Sequence, residues 1–97
     1  MKNISFLKAA EDEMLDAALF YESQAKHLGK DFLYKIETAL TDISLNPMQW
    51  PIIDRDIHRR LLHRFPYAIL YKIDKMKIII VAIMHLHRHP DYWMERI

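Results

Sequence analysis

The segment Lys77–Leu86 (KIIIVAIMHL) constrains the fold more than any other part of the chain. Read as a strand, it points Ile79, Val81 and Ile83 one way and Ile78, Ile80, Ala82, Met84 and Leu86 the other. A strand that is apolar on both faces belongs inside a sheet that is covered twice. The apolar run Ile78–Met84 is strand-sized, far short of the ~18–20 residues that cross a bilayer. No membrane association is therefore expected.

The residues before it continue the pattern. Ile57–Arg64 alternates, with Ile57, Arg59, Leu61 and His63 on one face and His58, Arg60, Leu62 and Arg64 on the other. Pro66 permits only a bend or an edge position. Tyr67, Ile69, Tyr71 and Ile73 share a face of the next strand, and Asp74-Lys75-Met76 is a tight turn into Lys77. The region reads as strand, turn, strand, turn, strand.

The first half reads differently. Asn3–Leu7 is short and alternating, an edge strand for the later sheet. From Ala9 to about Lys26, Met14, Ala18, Tyr21 and Ala25 form an apolar helical stripe. Glu11, Asp12, Glu13 and Asp16 crowd its first turns, where acids suit the helix dipole. Gly29, the only glycine, is placed to cap this helix at its C-terminus. A second helix over about Asp31–Leu45 carries Phe32, Ile36, Leu40 and Ile43 on one stripe, and Asn46-Pro47 ends it. Leu33, Tyr34 and Leu45 give it a second apolar side. Met48–Asp56 is irregular, with Trp50 packing down onto the helices.

The expected fold is α+β, one domain over residues 1–97. A helical hairpin packs on a twisted antiparallel sheet of three to four strands. The hairpin covers one sheet face. Two covers are open for the other: Trp50, Tyr92 and Trp93 folding over it, or a partner docking apolar surface there.

With 52% hydrophobic residues the chain has a real core, and with no cysteine it has neither disulfide nor thiolate chemistry. A soluble, cytoplasmic setting is expected. The net charge of +1 conceals an asymmetry. Residues 1–45 carry five Lys and eight acids, whereas residues 46–97 carry nine Lys/Arg, five acids and five of the six His. A basic half suits an anionic partner surface such as nucleic acid, or is simply a mixed surface.

Several pieces in order then resemble a known family. They are Ala17-Ala18-Leu19-Phe20-Tyr21, Leu28-Gly29 followed by Phe32, and Ile43 with Asn46-Pro47. Arg60, Phe65-Pro66-Tyr67 with Tyr71, and His85-Leu86-His87-Arg88-His89-Pro90 with Trp93 complete them. The chain resembles the RelE/ParE superfamily of toxins from bacterial type II toxin–antitoxin systems, many labelled plasmid stabilisation proteins. The resemblance implies a cognate antitoxin whose C-terminal segment docks on the sheet. It also implies one of two activities. RelE-like members cut messenger RNA on the ribosome as endoribonucleases (mRNA interferases), and this is the first reading. ParE-like members poison DNA gyrase without cutting RNA. A non-toxic binding module on the same scaffold is a third possibility, because a scaffold does not fix function.

Cleavage of RNA through its own 2′-hydroxyl needs a base, cations for the phosphate and an acid for the leaving oxygen. The candidates are Arg60, Arg64 and Arg88 for the phosphate, and His85, His87 or Tyr92 as acid. His58, or Asp56 with a raised pKa, is the candidate base. Against this, Arg59 and Arg60 pairing with Asp54 and Asp56 would be an ordinary exposed strand. No lysine occurs from Asn46 to Tyr67, where some RelE-like members carry several. His85 and His87, with His89 behind, suggest a metal, but no third ligand is fixed by spacing and no metal or cofactor is expected. Poisoning gyrase requires no catalytic group.

Overall fold

The computed structural model describes residues 3–97. Strand β1 (Asn3–Phe6) leads into helices α1 (Lys8–Gln24) and α2 (Leu28–Leu45). Strands β2 (Ile52–Asp54), β3 (Ile57–Leu61), β4 (Tyr67–Asp74) and β5 (Lys77–His85) follow, then a 3-10 turn at Met94–Arg96. The sheet has five strands in the order β1-β5-β4-β3-β2. β1 pairs with β5 in parallel, and every other pairing is antiparallel. The architecture is α+β, as expected. The sheet is mixed and one strand larger than expected, because Ile52–Asp54 pairs with β3 inside the segment read as irregular.

The two helices are held close by their linker. His27 takes a left-handed conformation at φ 71°, and the Glu22 carboxylate accepts the backbone N–H of His27 at 2.9 Å and of Gly29 at 3.0 Å. A carboxylate at a helix N-terminus meets donors that have no partner within the helix. These bonds hold the Glu22 carboxyl below its ordinary range, the His27 bond most. Gly29 is therefore not the C-cap of α1. It lies in the first turn of α2, where a Cβ would stand 2.4 Å from the Ala18 carbonyl oxygen. Its lack of a side chain sets the approach of the helices.

Phe32, Ile36, Ala39 and Ile43 of α2 and Ala10, Ala17 and Ala18 of α1 are buried against Ile69, Tyr71, Ile78, Ile80 and Ile83 of the sheet. Tyr21, Phe32, Phe65 and Tyr67 form an aromatic cluster, with Phe32 and Phe65 edge-on at 5.3 Å. Such pairs add roughly 0.5–1.5 kcal/mol each beyond the area they bury. Trp50 packs against the same core. Leu33, Tyr34 and Leu45, the second apolar side of α2, are exposed.

The strict alternation expected of β5 breaks at one residue. Leu70 pairs with Ala82 and Tyr71 with Ile80, which leaves Val81 as a β-bulge. Val81 and Ala82 both join the outer cluster, and Ile83 moves to the helix side with Ile78 and Ile80. On the outer face Ile57, Ala68, Leu70, Val81, Ala82 and Met84 are buried with Trp93, and Tyr92 and Met94 pack against them. The C-terminal segment thus covers the second face.

Candidate functional site

The six residues singled out for catalysis fall into separate places. β3 ends at Leu61, so Arg64 does not share a strand with Arg60; it sits in the following bend at φ 79°. Its guanidinium is 3.1 Å from the Asp31 carboxylate at the start of α2. Arg60 reaches Asp42 near the other end of α2, at 2.7 Å, and lies over the Trp50 ring at 5.1 Å. Asp31 and Asp42 are about 16 Å apart along a helix rising 1.5 Å per residue. The two arginines are held apart by two carboxylates, neither of which is Asp54 or Asp56.

The candidate bases are placed elsewhere. His58 is buried; its Nδ1–H donates to the Trp50 carbonyl at 2.7 Å, and its ring stacks on Tyr71. Burial also pushes the Tyr71 hydroxyl up to about 12, and that hydroxyl donates to the Pro47 carbonyl. Asp56 is exposed in the β2–β3 turn.

His85, Arg88 and Tyr92 do come together. His85 and Arg88 line a pocket of about 330 Å³ between α1 and β5, with Glu13, Asp16, Phe20 and Tyr67. The bulge at Val81 is what brings His85 to this side, in step with Ile83. His85 Nδ1 accepts the His87 backbone N–H at 3.0 Å, and its ring meets Tyr67 edge-on. His87 lies beyond the strand end, its ring 5.1 Å from that of His85. Among the described residues, no group of three His, Asp or Glu is placed to hold a metal ion.

Beside the pocket, Arg88 lies 4.0 Å over the Tyr92 ring. The Tyr92 hydroxyl donates to Glu13 at 2.7 Å. Burial first, then this bond to a carboxylate, pushes the phenol well above its ordinary range. Glu13 also binds Arg96 through both oxygens, at 2.8 and 3.0 Å, and accepts the Ile83 backbone N–H at 3.1 Å. Arg96 in turn donates to the Val81 carbonyl at 3.1 Å. Sequence reading missed Glu13 and Arg96. Glu13 passes for one of four acids suiting a helix dipole, yet it is three residues after Ala10 and four before Ala17. Both alanines are buried, so Glu13 falls within the inward stripe, and that spacing was the available signal.

A second concavity lies on the helical hairpin. Leu15, Leu19 and Leu33, all exposed, line a groove of about 460 Å³ with Ala18 and Gly29, and Glu22 and Lys30 flank it.

Residues 4–90 match the family described as ParE toxin of type II toxin–antitoxin system, parDE. The chain belongs to the ParE toxin family. Nine chains among solved structures match it. One is titled "Chromosomal ParDE TA system from P. aeruginosa"; it superposes with a TM-score of 0.65 at 12% identity, over 90% of this chain and 98% of that one. At that identity the likeness concerns the fold. No curated protein sequence matches. Among the described residues of this ParE-family chain, no helix is long and apolar enough to cross a membrane.

Proposed function

We propose that this ParE-family chain arrests growth by binding DNA gyrase, and that the C-terminal surface carrying Arg88 and Tyr92 makes the contact. This reverses the order in which the sequence places the two mechanisms. The observation that supports it most is the charge of the His85–Arg88 pocket. Glu13 and Asp16 line the same walls. Arg96 neutralises Glu13, which leaves Asp16 against Arg88 and, among the described lining residues, no surplus of Lys or Arg for a phosphate. Arg60 and Arg64, which would supply that surplus, are paired with carboxylates on α2. Binding a protein target needs no such surplus. Arg88 is exposed and stacked on a fixed aromatic ring, the kind of residue that anchors interfaces.

A cognate antitoxin is the second partner proposed. The outer face of the sheet, where its docking was expected, holds the chain's own Trp93. The hairpin groove is an open apolar surface, and we assign the antitoxin's apolar segment there.

Cleavage of messenger RNA on the ribosome is the second reading, favoured by the convergence of His85, Arg88 and Tyr92 on one region. Induction of the chain alone in a bacterial host separates the two. Growth arrest with intact messages and a trapped gyrase–DNA complex is expected, and Arg88→Ala abolishes both. Message cuts within codons that disappear when translation is blocked would overturn the proposal in favour of cleavage. No arrest at all would leave the non-toxic binding module.

A further inference from the structure

We infer that Glu13 is a positioning residue: it fixes the C-terminal segment along β5 and so presents Arg88 on the Tyr92 ring. The reason begins in the sheet. β1 pairs with β5 only as far as Phe6 opposite Ile80, and Leu7 makes the last main-chain bond, to the Ile80 carbonyl. Past that point, among the described residues, β5 has no strand beside it on this edge. The Ile83 N–H and the Val81 carbonyl are met by side chains instead: Glu13 accepts the first, and Arg96 donates to the second. A bidentate Arg–carboxylate pair joins the two side chains. Glu13 and Arg96 together do for β5 what a neighbouring strand would do, since backbone groups near the core cost free energy when unpaired.

The same carboxylate holds the Tyr92 hydroxyl, and the Tyr92 ring carries Arg88 on one contact and Arg96 on another, at 4.0 and 5.0 Å. Among the described residues, Glu13 is thus the one side chain of α1 that holds the β5 backbone, Tyr92 and Arg96 together. Nothing else in α1 reaches the C-terminal segment by a hydrogen bond among the described residues. Moving Glu13 shifts Tyr92, and Arg88 moves with the ring that it rests on. The link from Arg88 to gyrase binding rests on the proposed function; the link from Glu13 to Arg88 does not.

The test uses the full chain with Glu13→Ala, and Asp12→Ala as an exposed neighbour on the same helix. Amide exchange by NMR is expected to speed at least about tenfold at Ile83 when its charged acceptor is lost. The upfield ring-current shift of the Arg88 side-chain protons collapses, while the amides of Phe32 and Ile36 keep their protection. Asp12→Ala changes none of these. If Glu13→Ala unfolds the chain, Arg96→Ala removes the other half of the pair from the end of the chain and is expected to give the same loss of the Arg88 shift. Unchanged Arg88 shifts in a folded Glu13→Ala or Arg96→Ala chain would overturn the inference. Growth arrest is scored separately. Arrest that survives Arg88→Ala would defeat the gyrase-contact reading and leave the positioning role standing on the NMR result.

Discussion

Replacing Gly29 with alanine sets helix propensity against packing. In an isolated helix the change is favourable by about 1 kcal/mol, because glycine gives up more backbone entropy. In this chain the added Cβ would stand 2.4 Å from the Ala18 carbonyl oxygen, where ordinary contact begins near 3.4 Å. The obstacle is main chain inside α1, so it cannot rotate away. The Glu22 Cβ and Oε1, at 3.0 and 3.1 Å, crowd the same methyl. The hairpin must open by about 1 Å along a seam that includes buried Ala18 and Phe32. Overpacking of this kind costs about 1–3 kcal/mol, and an unyielding backbone obstacle places it at the upper end. After the propensity gain, a net loss of about 2 kcal/mol is expected. For a chain of this size that lowers the melting temperature by roughly 8–16 °C. Urea titration followed by circular dichroism reads the change as a lower midpoint at constant slope. A midpoint that stays or rises would refute the close approach of α1 and α2, and with it the geometry of the hairpin groove.

Two further outcomes follow from the caps and covers. Trp93 is 1% exposed and closes the outer face, so Trp93→Ala is expected to cost about 3–5 kcal/mol. Trp93→Phe should cost much less, because among the described residues the buried indole N–H has no hydrogen-bond partner to lose; equal midpoints for the wild type and the alanine variant would show that the segment does not cover the sheet. Glu22 has a lowered pKa in the fold, from an ordinary value of 4.5, so its contribution is complete above the unfolded value and is lost as pH falls through the folded one. Glu22→Gln should therefore be less stable than wild type at neutral pH, with the difference vanishing in acid; a constant difference down to low pH would show that the carboxylate does not cap α2.

The fold was largely legible because periodicity carries it. The Phe32–Ile36–Ile43 stripe and the apolar Ile78–Met84 run state their partners' faces without further information. Three features escaped for physical reasons. The strand Ile52–Asp54 lies between prolines and charges, and only its pairing with β3 makes it a strand. Gly29 looks like a C-cap by composition, whereas the left-handed residue is His27. The bulge at Val81 has no glycine to announce it, so strict alternation set Ile83 opposite Ile78 and Ile80, whose side it shares. Of the site, the cluster His85–Arg88–Tyr92 was legible as a composition of one segment. Its partner Glu13 was not, since a contact spanning the whole chain leaves only the spacing of two alanines as a trace.

The bulge also explains why the C-terminal segment and the hairpin end up sharing one site. An unbulged β5 would carry Ile83 to the outer face, away from α1. One extra residue turns the rest of the strand over. Ile83 then seals the helix-side core, its N–H faces Glu13, and the Val81 carbonyl is left where Arg96 reaches it. The polar groups left on this edge past the end of β1 are the ones that Glu13 and Arg96 satisfy. Their pairing in turn holds Tyr92 under Arg88. A C-terminal segment left untied would present Arg88 as a mobile charge. Tied to the turned strand through an α1 carboxylate, it becomes a surface of fixed shape, which lowers the ordering cost of the proposed contact with a protein target.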